Sequence, residues 1–569
     1  MATPLLETAA SGAATVLVPP AEAPPPDPMF PALTPQQVAR IAAHGHAQRV
    51  AEGEVLVEPG AAAARFFIVT EGRLEILLPS GGTEEFVKVL GPGQFTGEVN
   101  VLSGRRGLAR IRAGAPGAVI EVDRNDLLSL VQTDSELGEI LMRAFLLRRA
   151  DIVSRGLGDV VLIGSDHSPN TLRIKEFLTR NGYPYRSIDL DRDASVQEML
   201  DHFHVGVADV PVVICRCTVV LQNPTNQRIA DCLGFNDAVD RTQVRDVVIV
   251  GAGPAGLAAA VYGASEGLDV LVLEATAPGG QAGASSRIEN YLGFPTGISG
   301  QKLAEAAYAQ ATKFGAQVMI ANGAARLACE RKPYAVEIGD GQRVPARVVI
   351  IATGAEYRRL PLPNVSQFQG VGIYYAATFM ESQLCSGDEV VVVGGGNSAG
   401  QAAVFLAQSA RQVHILVRSD GLADTMSRYL VRRIEEHPAI ALHVRTELVG
   451  LEGREHLERV HWRDNQSGRV ETHAIRHVFS MTGAVPSTAW LRGCVARDAR
   501  EFVKTGPDLS PEDLAAAHWP LARPPHLLET SLPGVFAVGD VRSGSIKRAA
   551  SAVGEGSIAI AAVHQVLHE

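Results

Sequence analysis

Cysteine is scarce in this chain. Its six cysteines are Cys215, Cys217, Cys232, Cys329, Cys385 and Cys494, and no two of them stand in a Cys-x-x-Cys spacing. They are too few and too scattered for a secreted disulfide scaffold. Long apolar runs are missing too: none approaches the roughly 20 residues that a membrane-spanning helix needs. The N-terminal stretch has no basic region followed by an apolar one, the pattern of a secretory signal. A reducing cytoplasm is therefore the expected compartment, with no membrane partner. Positive charge is in deficit, with 52 Lys+Arg against 62 Asp+Glu and a net charge of −10. That balance argues against a nucleic-acid or anionic-membrane surface. A length of 569 residues predicts several domains, each able to bury a core.

What the chain does have is two glycine-rich loops, each directly after a short apolar run. The first, Gly251-Ala-Gly253-Pro-Ala-Gly256, follows Val247-Val-Ile-Val250. The second, Gly394-Gly-Gly396-Asn397-Ser398-Ala399, follows Val390-Val-Val-Val393. Each reads as a strand entering a helix through a tight turn. There the backbone amides and the positive end of the helix dipole can receive a pyrophosphate. Glu274 ends the next apolar run, where a carboxylate can accept hydrogen bonds from an adenosine ribose. One such loop is weak evidence of a dinucleotide site; two in the same context are much stronger.

Composition divides the rest. Residues 1–32, rich in Ala and Pro, are predicted to be a disordered tail. Residues 33–153 alternate short strands and glycine turns, including 65–69 and 73–78, then turn helical over 126–131 and 138–150. Residues 157–241 follow a βαβ order that suggests a small α/β unit. From residue 245 onward βαβ units dominate.

The portion 245–569 resembles the thioredoxin reductase family. The likeness rests on both loops, on Gly279-Gly280-Gln281, on Ala352-Thr353-Gly354 and on Gly534-Val-Phe-Ala-Val-Gly-Asp540. It implies two Rossmann-like domains. An NAD(P)H-binding domain (367–485) would be inserted in an FAD domain built from 245–366 and 486–569, and the protein would be a homodimer. Asp540 would contact the flavin side chain, and the helix starting near Ala549 would aim its N-terminus at the flavin ring. Disulfide-reducing members carry a Cys-x-x-Cys shortly before the second loop; here Tyr375 and Thr378 take those places, so the catalytic residues are unknown. Cys385, seven residues beyond Thr378, is expected to be a packing residue. Arg418 and Arg428 are the candidates for a 2′-phosphate, which favours NADPH over NADH.

The front of the chain carries two further resemblances. Residues 157–241 resemble a glutaredoxin or thioredoxin domain, with Ser168-Pro-Asn-Thr171 at its redox position and Val210-Pro211 at its cis-proline turn. Cys215 and Cys217 are expected to pack. Residues 33–153 resemble a cyclic-nucleotide-binding β-roll. Its phosphate cassette would be Gly97 and Glu98, with Arg106 as the phosphate cation and Arg110 second; a roll that binds no nucleotide is equally open.

The whole is expected to be an FAD-dependent NAD(P)H oxidoreductase that passes electrons to an unidentified non-dithiol acceptor, with a cyclic nucleotide as a possible effector. Any such control would have to cross the glutaredoxin-like unit. Two alternatives stand beside this reading: a thioredoxin-disulfide reductase using non-standard cysteines, and a nucleotide-sensing flavoprotein scaffold.

Overall fold

The computed structural model describes residues 27–569, apart from 62–64, 81–82, 156–159, 166–167, 191–208, 216–218, 286, 340, 376, 378, 424–425 and 455. The first unit is an antiparallel roll with strand order His46–Val50, Arg110–Val122, Phe66–Ser80, Thr83–Leu90. Two of the expected short strands are one 15-residue strand, Phe66–Ser80, whose pairing with Arg110–Val122 shifts register at several points. Such bulges bend a strand without ending it, so Gly72, between the two expected strands, lies inside a continuous ladder. The helix Ser135–Arg155 closes the roll and drives Phe145 against Phe66 and Phe95 at ring-centroid distances of 6.1 and 6.2 Å. Residues 27–32 correct the expected tail: Phe30 is buried, and its ring lies 4.7 Å from the Arg148 guanidinium. An aromatic with a cation to cover outweighs the bias of an Ala/Pro-rich stretch. Residues 1–26 of that tail lie outside the described residues.

The second unit is a four-stranded sheet, ordered Arg186–Asp189, Val160–Gly164, Val212–Cys215, Val219–Gln222. Its first pair is parallel and the other two antiparallel. Helices Pro169–Arg180 and Asn226–Leu233 bury Ile174, Phe177, Ile229 and Leu233. The Val210–Pro211 peptide is cis. Cys215 is buried, and Cys217 lies outside the described residues.

The remainder holds two larger sheets. The first runs Gln317–Ile320, Val270–Glu274, Arg245–Val250, Arg343–Ile351, Tyr334–Ile338, Ala324–Ala328, with Val535–Ala537 paired in parallel to the end of Arg343–Ile351. The second runs Ile373–Tyr374, His477–Ser480, Glu389–Val393, Gln412–Leu416, Ile440–His443, all parallel. The strand Val535–Ala537 completes the first of these sheets only after the chain has built the second, so the domain of the second sheet is inserted in that of the first. Unbroken valine and isoleucine runs suit parallel strands covered on both faces, and Val247–Ile249 and Val390–Val392 are essentially inaccessible.

Three features depart from the sequence reading. Cys329 and Cys494 form a disulfide with Cα atoms 6.0 Å apart and a sequence separation of 165, a distance along the chain that hides the pairing from any local pattern. The C-terminal helix Ala549–His568 is long and apolar enough to cross a membrane. However, Gly556 packs against the backbone of Ala255 and Ala259, and Ala559, Ile560 and Val563 are buried. Finally, the roll meets the flavoprotein portion directly. Gln132 donates to the Lys313 carbonyl at 2.9 Å, and Arg105 lies between the rings of Phe235 (4.6 Å) and Tyr308 (5.0 Å). A signal from the roll need not cross the small α/β unit.

Candidate functional site

The first loop is shaped by what its glycines exclude. Gly251 sits at φ +107°, a conformation side chains avoid. A β-carbon there would collide with the Ala352 carbonyl, and one at Gly256 with the Gly251 carbonyl. Gly253 faces open space, its nearest neighbour being the Gly280 Cα at 3.9 Å. It caps the helix Pro254–Ser265 without a side-chain hydrogen bond to the first amides. The outer glycines let helix and strand meet, and the middle one leaves room for an anion at the helix N-terminus.

Glu274 does more than the sequence suggested. It is buried, Oε2 accepts from the Ala252 amide at 2.8 Å, and Oε1 accepts from Thr276 and Ala277 at 2.8 and 3.2 Å. Burial pushes its pKa up, against the pull of those amides and of Arg180. The carboxylate braces the loop while Oε2 keeps a lone pair for a ribose hydroxyl. Gly280 takes φ +54°, its carbonyl accepts from Arg180 Nη2 at 2.8 Å, and Gln281 bonds to the Ala355 carbonyl. Gly354 (φ +62°) opens on space, beside Thr353, whose hydroxyl donates to Ser487 at 2.8 Å.

Asp540 lies in the short turn Gly539–Val541 and makes no hydrogen bond among the described residues. Burial raises its pKa; Lys547 opposes the shift and Glu555 adds to it. Glu555, which no sequence signal singled out, holds the turn by accepting from the Gly539 amide at 2.6 Å and from Arg542 at 2.7 Å. The C-terminal helix begins without a side-chain cap, so its first amides and positive dipole end are available. A half-buried, unpaired carboxylate between open helix ends fits a ligand bearing hydroxyls and a diphosphate.

The second loop repeats this design with different charge. Gly394 sits at φ +140°, with the Met481 carbonyl where a β-carbon would go, and Gly396 faces open space. Ala399, at the third position, is fully buried. Ser398 is exposed at the helix start. Asn397 Oδ1 accepts from the Ser427 amide at 2.8 Å, which brings the helix Arg428–Glu435 to the loop. Val393 pairs with Leu416, so Arg418 follows the neighbouring strand just past the loop. Arg418 and Arg428 are exposed and form no ion pair among the described residues. Two unpaired guanidiniums here fit a 2′-phosphate.

At the position of the missing redox pair, the Tyr375 phenol has no hydrogen-bond partner among the described residues. Burial raises its pKa, against Arg359. Thr378 lies outside the described residues. Cys385 is fully buried, its thiol donates to the Ser382 carbonyl at 3.6 Å, and burial pushes its pKa up to about 12. It is a packing thiol and is not nucleophilic at neutral pH.

In the roll, Gly97 and Glu98 line a cavity of about 70 Å³. Glu98 is mostly covered, with neither carboxylate oxygen hydrogen-bonded; Arg149 lies 3.5 Å away, and desolvation raises its pKa despite Arg149. The structure takes Arg106 out of the predicted phosphate role. Its guanidinium pairs with Asp237 at 2.6 Å and is absent from the cavity wall. Arg110 is held by Glu84 and Glu58. The wall also holds Arg65, Asp151 and, from the closing helix, Arg148, which the sequence reading missed. It is 4% exposed, donates to the Gly97 and Met29 carbonyls at 2.8 Å each, and leaves Nη2 unpartnered. Only the helix packing brings it there.

Two dinucleotide loops on nested α/β sheets, one beside an acid and one beside two arginines, define a flavin- and pyridine-nucleotide-dependent oxidoreductase. Comparison with known proteins agrees. The profile of the family Pyridine nucleotide-disulphide oxidoreductase matches residues 245–556, and that of the cyclic nucleotide-binding domain matches residues 47–134. The chain is 32% identical over 314 residues to a thioredoxin reductase of Treponema pallidum (strain Nichols), covering 55% of this chain and 94% of the relative. It is 31% identical over 327 residues to thioredoxin reductase of Bacillus subtilis (strain 168), covering 58% and 96%. Among solved structures, Lactococcus lactis thioredoxin reductase superposes with a TM-score of 0.51 at 26% identity, covering 57% of this chain and all of that one. The T. acidophilum enzyme gives 0.51 at 28%, covering 58% and 100%. The chain belongs to the pyridine nucleotide-disulphide oxidoreductase family, enzymes that use FAD and NADPH, with a cyclic-nucleotide-binding-type domain in front.

Proposed function

We propose that the protein is an FAD-dependent NADPH oxidoreductase that delivers electrons to a non-dithiol acceptor such as a quinone, oxygen or a one-electron carrier. The observation that carries this reading is the absence of any Cys-x-x-Cys in the chain, with Tyr375 where the pair belongs. A phenol cannot exchange with a disulfide. FAD at the first loop and NADPH at the second would supply the hydride chemistry. The chain's own part is to brace the first loop through Glu274, to set Asp540 unpaired beside it, and to grip the 2′-phosphate through Arg418 and Arg428. Per turnover, NADPH gives up a hydride, whose two electrons pass to one quinone or oxygen molecule or, singly, to two one-electron carriers.

The small α/β unit has the strand order of a thioredoxin-like domain, and Ser168 and Thr171 stand where its cysteines would be. We assign it a structural task. Arg180 and Asn181, at the end of its first helix, hold the carbonyls of Gly280 and Thr276 beside the first loop. A second reading has one support: the Cys329–Cys494 disulfide could take electrons in place of the missing pair, making the protein a disulfide reductase. A variant with all six cysteines replaced separates the two. The proposal expects unchanged NADPH-dependent reduction of benzoquinone; loss of all turnover in a folded, yellow variant would favour the disulfide reading. The roll we read as a ligand-responsive unit resting directly on the helix Gly300–Lys313.

A further inference from the structure

The inserted domain is joined to the FAD domain by a slender connection. Its two connecting segments, Ala355–Tyr357 and Ala484–Pro486, pair with each other as a two-stranded antiparallel ribbon outside both large sheets. A two-stranded ribbon is marginally stable alone, and domains joined in this way move against each other unless further contacts hold them. One contact across the joint is the ion pair of Arg433 with Glu289 at 3.0 Å, but both side chains are partly exposed, and such pairs hold weakly. Another contact comes from the small α/β unit. Pro169, the first residue of the helix Pro169–Arg180, lies against Gly370, where an added β-carbon would stand 3.4 Å from the Pro169 β-carbon. Gly370 is the entry to the inserted domain: the next two carbonyls, of Val371 and Gly372, accept from Leu457 at 3.0 Å and Val478 at 2.8 Å. At the other end of the same helix, Arg180 and Asn181 donate to the Gly280 and Thr276 carbonyls at 2.8 and 3.1 Å, and Gln301 of the FAD domain donates to the Arg180 carbonyl at 3.3 Å. Twelve helical residues make a rod of about 18 Å. It runs from the turn beside the first dinucleotide loop to the entry of the domain that carries the second.

We propose that Pro169 and Arg180 are positioning residues for flavin reduction. The helix between them is a strut that holds the inserted domain, and with it the second loop, in one placement on the FAD domain. Hydride transfer is steep in distance: a misplacement of about 1 Å costs on the order of a hundredfold in rate, so a loose joint would be slow. With Tyr375 where a dithiol would stand, the inserted domain has only the nicotinamide to deliver, and one placement serves. Pro169 lies within Ser168–Thr171, so the end of the small unit that resembles a redox site is the end that is docked. The proposal rests on the cofactor assignment and is independent of the acceptor.

The test uses the full-length, FAD-loaded protein in two arms. In the first, a Pro169→Cys/Gly370→Cys variant is oxidised and analysed by non-reducing electrophoresis and peptide mass spectrometry. Its β-carbons, 3.4 Å apart, lie close to the roughly 3.5–4.5 Å that a disulfide spans. The proposal expects the 169–370 crosslink to form, and NADPH to reduce the flavin of the crosslinked protein. No crosslink, or a crosslinked protein whose flavin NADPH no longer reduces, would overturn it. In the second arm, anaerobic stopped-flow reduction follows Arg180→Met and Arg180→Lys after reloading with FAD. Arg180→Met should lower the rate constant at saturating NADPH about tenfold and leave the NADPH dissociation constant within about a factor of two. Arg180→Lys, which keeps a donor for the Gly280 carbonyl, should recover most of the rate. A full rate in reloaded Arg180→Met would confine Arg180 to bracing the first loop and overturn the proposal, as would a loss of NADPH affinity alone. Should the variant of either arm fail to fold, the other arm decides. Only flavin reduction is followed, so a wrong assignment of the acceptor leaves both readouts untouched.

Discussion

The two glycine loops share one backbone design and differ at two places, and those differences tell the cofactors apart. At the third position the first loop has Gly256, where a β-carbon would overlap the Gly251 carbonyl; the second has Ala399, whose methyl is accommodated and buried. The first helix therefore approaches its strand more closely. The second difference is charge. The strand beside the first loop ends in Glu274, an acceptor for ribose hydroxyls, whereas the strand beside the second leads to Arg418. We read both loops as dinucleotide sites, with Glu274 suited to an adenosine ribose that keeps its 2′-hydroxyl and Arg418 to one that carries a 2′-phosphate.

The largest effect should come from inverting the third position. Gly256→Val should yield protein without bound FAD, read as the loss of visible absorbance after purification. Ala399→Gly should cost only about 0.5–1 kcal/mol in stability and leave the NADPH dissociation constant within a factor of two. Equal damage from both changes would break the comparison. Next in size, Glu274→Ala leaves three loop amides without their acceptor. Each unsatisfied buried group costs about 1–3 kcal/mol, so thermal unfolding should move down and FAD should dissociate on dilution. Arg418→Ala and Arg428→Ala should each raise the KM for NADPH about tenfold or more and leave that for NADH unchanged; equal effects on both cofactors would remove the 2′-phosphate assignment.

The smallest effect concerns pH and falls on the second sheet. Burial lowers the pKa values of His414, His443 and His477, against Glu389, Glu471 and Asp388 respectively. These histidines are neutral in the fold and protonate more readily when unfolded. Their contribution to stability is present above the unfolded value of about 6.5 and is lost as pH falls through it. Unfolding temperature should drop between pH 7.5 and 5.5, and His414→Phe should flatten that dependence. A slope unchanged by the substitution would count against the assignment.

Most of the flavoprotein half was legible in the sequence because its signals are local: an apolar strand, a glycine turn and a helix lie within twenty residues. What was missed lies far apart in sequence. Arg148 reaches the roll's cavity across 51 residues from Gly97, and Glu555 holds Gly539 from the next helix. Cys329 meets Cys494 across the whole inserted domain. Arg106 looked right for a phosphate by its place after the cassette, yet the facing Asp237, 131 residues on, decides where it points. The motif fixes a residue's address; long-range packing fixes its partner.

The central claim is that electrons leave this enzyme without passing through a dithiol. Anaerobic stopped-flow spectrophotometry tests it directly. The FAD-loaded protein is first reduced with NADPH and then mixed with oxidised thioredoxin or with benzoquinone. The account predicts loss of the oxidised-flavin absorbance on adding NADPH, its rapid return with benzoquinone, and no return with thioredoxin. Rapid return with thioredoxin, abolished by Cys329→Ser, would contradict it and make the protein a disulfide reductase by another route.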